Sequence, residues 1–217
     1  MTQPILLGNF RGFAVRYDEQ QTPWFRIGVE EALKKISSVT LGKELLKLIA
    51  DANPHSRVGT DGVAFGTGIN VIVFPQDNRS FMQSGFKPAF LPNDYSGRKD
   101  GMQATPQAAF NNPGHRFTYV GTGSCNANAD TMSGSDGKGT VCEMAFDSAQ
   151  MMTRSGESTN PALVLAHELI HSYHGLYGIN KGDKEEHWTT GIGQFKNERM
   201  SENAFRALFR MKLRTSY

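Results

Sequence analysis

Apolar side chains recur at three- and four-residue intervals between Arg26 and Ala52, at Val29, Leu33 and Ile36 and then at Leu41, Leu45, Leu46 and Ile49. That spacing marks one face of a helix. Ser37-Ser38-Val39-Thr40 interrupts it and predicts two helices, the second with Thr40 as its N-cap. The period then shortens. Gly68–Phe74 (GINVIVF), Arg116–Val120 (RFTYV) and Thr140–Phe146 (TVCEMAF) are short and rich in β-branched and aromatic residues, and they predict strands. Residues 75–114 are rich in Gly, Pro, Asn and Ser and show no period. Loops of that length are usually functional, and this one is expected to shape a cleft or to cover the sheet. Residues 1–25 also lack a clear period and are expected to form a flexible arm. A last helix is expected from Ser201 to Leu213. No repeat or linker divides the chain, so residues 1–217 predict a single α+β domain.

One apolar run stands apart. Residues 161–177 read PALVLAHELIHSYHGLY, preceded by Asn160 and followed by Gly178. Asn160 suits an N-cap, Pro161 the first helical position and Gly178 the exit. The helix they bound is about 25 Å long. Within it, His167-Glu168-Leu169-Ile170-His171 is an HExxH sequence. Residues four apart share a helix face, so both imidazoles can reach one ion. Glu168 sits beside them, aimed differently, where it can take a proton from water instead of ligating. Burying three polar groups among leucines without a partner is costly, and one zinc ion per chain satisfies them.

Catalytic zinc takes a third protein ligand and keeps one position open. The HExxHxxGxxH pattern is excluded, because this chain has His174 where that pattern needs glycine and Tyr177 where it needs histidine. Glu185, Glu186 and Glu198 remain as candidates, the last opening NERMSE, similar to the NExxSD of thermolysin-like enzymes. Spacing alone leaves all three open. His174 lies on the face of His167 and His171 and is expected to hydrogen-bond around the site rather than bind metal. Glu202 either orients a histidine ligand or forms an ion pair with Arg206 or Arg210.

The stretch HELIHSYHGLYGI resembles the zinc-binding helix of the clostridial neurotoxin light chains. Those proteases continue with EExxTxGG, and this chain has Glu185-Glu186-His187-Trp188-Thr189-Thr190-Gly191, with Ile192 in place of the second glycine. The resemblance implies Glu186 as third zinc ligand and Glu185 as a residue supporting the ligands. It also implies a pair of oxyanion donors at Arg214 and Tyr217, which repeat the toxins' Arg-x-x-Tyr spacing. The light chains are about twice as long as this chain. Its size and the SENAFR segment bring it closer to small type III-secreted bacterial zinc metalloproteases of the NleD type, which cleave host mitogen-activated protein (MAP) kinases. The resemblance therefore implies a zincin-like fold, with a small, mostly antiparallel sheet packed on the HExxH helix. It implies a secreted effector acting in the host cytoplasm on a host signalling protein. In zincins the strand in the position of 140–146 edges the cleft and pairs with extended substrate.

Composition narrows the partners. A formal net charge of +2 over 217 residues gives no reason to expect nucleic acid. No apolar stretch approaches the roughly 20 residues of a membrane span, and the N-terminus lacks the basic start and cleavage site of a Sec signal peptide. Cys125 and Cys142 are expected as reduced thiols. A protein substrate and a monomeric enzyme are the expectation. Two rivals remain. One is a non-catalytic binding module stabilised by a closed zinc site that His174 completes. The other is a metallopeptidase toxin aimed at competing bacteria.

Overall fold

The helical period of the first half folds into helix α1 (Phe25–Ser37) and helix α2 (Thr40–Asp51). Val29, Leu33, Ile36, Leu41, Leu45 and Ile49 are all buried. These elements belong to a computed structural model that describes residues 3–20, 22–57, 64–75, 137–146 and 158–216. Thr40 is the first residue of α2 rather than its cap. Val39 occupies the cap position with an extended backbone and no capping side chain. Packing sets this turn: a Cβ on Gly42 would collide with the Ile36 carbonyl, so the two helices meet backbone to backbone.

The expected N-terminal arm is corrected. Strand β1 (Ile5–Leu6) and strand β2 (Gly12–Val15) lie within that stretch, and β2 is fully buried. Strand β3 (Ile69–Pro75) and strand β4 (Cys142–Phe146) complete a sheet of order β1-β2-β3-β4. A strand covered on both faces shows no apolar–polar alternation, which is why Gly12-Phe13-Ala14-Val15 carries no signal in the sequence. The sheet also differs from the expected antiparallel one. Among the described residues only β1 and β2 are antiparallel, while β2, β3 and β4 run parallel. The two helices inserted between β2 and β3 return the chain to the end where β2 began, and such a crossover makes neighbouring strands parallel.

Phe13, Val15, Val71, Val73, Cys142, Met144 and Phe146 face the main core, where they join side chains of α1, α2 and helix α3 (Pro161–Leu176). Ala14, Ile72 and Val141 line a smaller cluster with Phe65 and Ile69. Helix α3 has its expected boundaries. The Asn160 side chain accepts the Leu163 N–H at 2.9 Å. Past the end, Gly178 turns left-handed at φ +67°. The Gly178 and Ile179 N–H groups then close onto the carbonyls of Gly175 and His174. All sixteen residues of α3 are buried except Pro161 and Tyr173. Its last turn docks on the chain leading into β4, where Gly139 passes so close to the Leu176 carbonyl that a side chain could not fit.

The last helix is shorter than expected. Helix α5 (Glu202–Leu208) follows a six-residue helix α4 (Glu185–Thr190). Arg210 adopts φ +57° and reverses the chain, so the tail folds back over α5 instead of extending it. The expected strand at 116–120, nearly all of the loop at 75–114, and Cys125 lie outside the described residues. Cys142 is buried on β4 against the Ser172 carbonyl.

The cap anchors the helix that matters most. Asn160→Ala should lower the unfolding free energy by about 1 kcal/mol, read as a reduced denaturant midpoint at unchanged slope.

Candidate metal centre

Helical geometry brings the two imidazoles of α3 together as the spacing requires. The Nε2 atoms of His167 and His171 face each other at 3.2 Å. Helix α4 delivers Glu186, whose Oε2 lies 3.4 Å from the first nitrogen and 3.3 Å from the second. Ligands bound about 2.0–2.1 Å from one ion at tetrahedral angles stand about 3.3–3.4 Å apart. Glu186 Oε2 is buried and has no aligned hydrogen-bond partner among the described residues. A divalent cation between these atoms satisfies all of them, and the donor set suits zinc. Of the other candidates for third ligand, Glu185 lies behind the imidazoles and Glu198 accepts the Trp188 indole N–H at 2.8 Å.

The outward ring nitrogens are held as well. His167 Nδ1 meets Glu202 Oε2 at 2.8 Å, and His171 Nδ1 meets Glu185 Oε1 at 3.0 Å. Each carboxylate accepts an Nδ1–H, which leaves the Nε2 lone pair pointing at the centre. Glu185 also accepts from His174 Nδ1 at 2.6 Å, and the donor atoms that lie within 4.8 Å of one another come from His167, His171 and Glu186 and not from His174. Glu202 is buried, and its other oxygen accepts the Arg206 Nε–H at 2.6 Å. It pairs with Arg206 and not with Arg210. Glu168 is buried beside the cluster, its Oε1 4.0 Å from His167 Nε2 and its Oε2 without a partner among the described residues.

The reversed tail brings Arg214 to the site. Its Nη1 donates to Glu202 Oε2 at 3.0 Å, so one carboxylate holds both His167 and this guanidinium. Tyr217 lies outside the described residues. Sequence reasoning missed two supporting residues. Thr189 donates to Glu185 Oε1 at 3.2 Å, and its place four residues after Glu185 on one helix face was the available signal. Asn203 accepts the Arg214 N–H at 2.8 Å and donates to the Arg214 carbonyl at 2.9 Å, clamping the tail. No sequence pattern announces that contact, which joins residues only after the chain reverses.

A model of the M91 peptidases, described as effector protein, matches residues 14–202, a segment that contains the HExxH helix, Glu186 and Glu202. The chain belongs to this metallopeptidase family of effector proteins. Among solved structures, the light chain of Clostridium botulinum neurotoxin serotype F is similar at 17% identity and a TM-score of 0.46. That alignment covers 89% of this chain and 50% of the other, so this M91 chain spans about half the length of the light chain. No curated protein matches the chain in sequence.

Electrostatics follow from so many carboxylates around two rings. Burial pulls the His167 imidazole down, but Glu186 and Glu202 outweigh it and raise it to about 9. His171 is also held well above its ordinary value, against burial, by Glu186 and Glu185. Burial pushes the Glu168 carboxyl up, and the two histidine charges only partly oppose it. Burial works against ionisation of Glu202, yet His167 and the two arginines bring it down to about 2. The carboxylates thus favour the protonated form of both rings, and a cation competes with those protons.

Two outcomes are expected. Zinc uptake at pH 7 should release protons, and apparent affinity should rise as pH climbs toward 9. Titration calorimetry in buffers of different ionisation enthalpy reads this directly. Glu202→Gln, which weakens the acceptor behind His167, should lower zinc affinity about 10–100-fold in competition with a chromophoric chelator.

Proposed function

We propose that this M91 effector is a zinc endopeptidase that acts inside a host cell on a host signalling protein, with a MAP kinase as the first substrate to test. The carrying observation is the triangle of His167 Nε2, His171 Nε2 and Glu186 Oε2, with separations of 3.2–3.4 Å, beside a buried carboxylate that is not part of it. His167, His171 and Glu186 would hold a zinc ion, which would supply polarisation of the scissile carbonyl and a more acidic water molecule. Glu168 takes a proton from the attacking water and passes it to the leaving amine. Burial raises its protonation range, which favours return of the proton to the leaving group. Arg214, held by Glu202, and Tyr217 donate hydrogen bonds to the oxyanion of the tetrahedral intermediate.

The non-catalytic reading needs a fourth protein ligand to close the site. Among the described residues the donor atoms within 4.8 Å of one another come from His167, His171 and Glu186 alone, without His174, which speaks for an open position and against that reading. Delivery into a host rather than into a competing bacterium rests on the family's description as effector proteins and on the resemblance to secreted proteases. No helix among the described residues is long and apolar enough to cross a membrane. Residues 1–217 are proposed to work as one catalytic domain and as a monomer.

The test pairs metal content with cleavage. Wild type and Glu168→Gln are each assayed for zinc and then incubated with active and inactive host MAP kinases. Both should hold one zinc per chain, and only the wild type should cut, with the variant slower by about 10²–10⁴-fold. Zinc in both and cleavage in neither rejects the kinase as substrate. Equal cleavage by both rejects Glu168 as the proton carrier.

A further inference from the structure

The third ligand comes from an unlikely platform. Glu186 sits on α4, a helix of six residues, and an isolated helix of that length does not hold together in water. Its angle to α3 must be imposed from outside. Two residues beyond Glu186, the Trp188 side chain leaves α4 on another side and is buried. Its ring lies flat on His174 of α3, with centroids 3.7 Å apart and planes 4° from parallel. Lys181 Nζ sits 4.0 Å from the Trp188 ring centroid. Two groups at those distances cannot share one face, so the indole is sandwiched. Glu198 takes the indole N–H, and Phe195 closes the outer side at a centroid distance of 6.3 Å. His174 is itself fixed by Glu185 and is 1% exposed.

We propose that Trp188 is a positioning residue for the metal. Clamped between His174 and Lys181, it locks α4 onto α3 at the angle that carries Glu186 to the two histidines. This rests on the metal-centre reading above. Both flanking groups come from segments next to the ligands, so the clamp works on the distance between the two histidines and the glutamate and not on the core as a whole. Its loss should leave the metal-free fold nearly intact and weaken the metal.

The experiment uses the full chain with Trp24→Phe, which leaves Trp188 as the sole indole, since the sequence has two tryptophans. Zinc is added to chelator-stripped protein while indole emission is followed, and affinity is measured against a chromophoric chelator. Emission should change saturably at one zinc per chain. Trp188→Leu, which keeps apolar bulk but removes the flat stack, should weaken zinc about 10-fold or more, with the Tm of the metal-free form close to that of its parent. Trp188→Phe, which keeps a stackable ring, should stay within about threefold. If Trp188→Leu does not fold, Lys181→Met decides. Removing the cation from an exposed site should weaken zinc about threefold, and no change overturns the clamp. Unchanged affinity in a folded Trp188→Leu overturns the clamp while the metal centre stands, as does an equal loss in Trp188→Phe. A parent protein that binds no zinc overturns the metal centre and the clamp with it.

Discussion

The structure depends on burying charge in a helix that has almost no solvent face. Helix α3 is surrounded by α1, α2, β4, α4 and α5, yet it carries three imidazoles and a carboxylate among its leucines. Such groups cannot remain inside a protein without partners. Among the described residues, Glu185, Glu186 and Glu202, the carboxylates within 3.4 Å of these imidazoles, are all supplied by segments that come after α3. Glu185 and Glu186 arrive on α4, Glu202 and Arg206 on α5, and Arg214 on the reversed tail.

The supporting carboxylates each serve two sides. Glu202 joins His167 to Arg206 and Arg214, so it orients that ring while tying α5 and the tail to α3. Glu185 joins His171 to His174 and takes the Lys181 N–H, so it orients the second ring while fixing the start of α4. Buried charges with this many donors are satisfied as a network or not at all. That explains the division of labour between two adjacent glutamates. Glu185 is used up by hydrogen bonds behind the rings, and Glu186 is left with a bare oxygen aimed at them.

The sheet gives this helix its direction. Parallel strands β2, β3 and β4 present one apolar face to α1, α2 and α3. The glycines at 139 and 178 let the end of α3 touch the chain entering β4, with the Gly137 N–H on the Gly178 carbonyl at 2.9 Å. The polar centre thus sits at one end of a stiff apolar layer, and the short elements carrying the remaining groups close over it. His167, Glu168 and His171 are held by the layer through α3, while Glu185, Glu186, Glu202 and Arg214 ride on short helices and a tail that could not hold a geometry by themselves.

Local sequence determined what depends on neighbours along the chain. The boundaries of α3, the pairing of His167 with His171 on one face, the separate aim of Glu168 and the run of α1 and α2 all follow from spacing within a few residues, because helical contacts repeat every three to four positions. Resemblance, not spacing, singled out Glu186 among three glutamates. Only the tertiary structure decided what depends on contacts distant in sequence. It made β2 a buried strand instead of an arm, because a strand covered on both faces shows no alternation to read. It set β2, β3 and β4 parallel, because the direction of a strand follows from the connection before it, such as the two helices between β2 and β3, and not from the strand itself. It turned the tail back at Arg210, because Asn203 and Glu202 capture Arg214 only in that conformation. And it gave Glu185, Glu186 and Glu198 their different tasks, because which carboxylate faces the histidines is a matter of how α4 lies on α3.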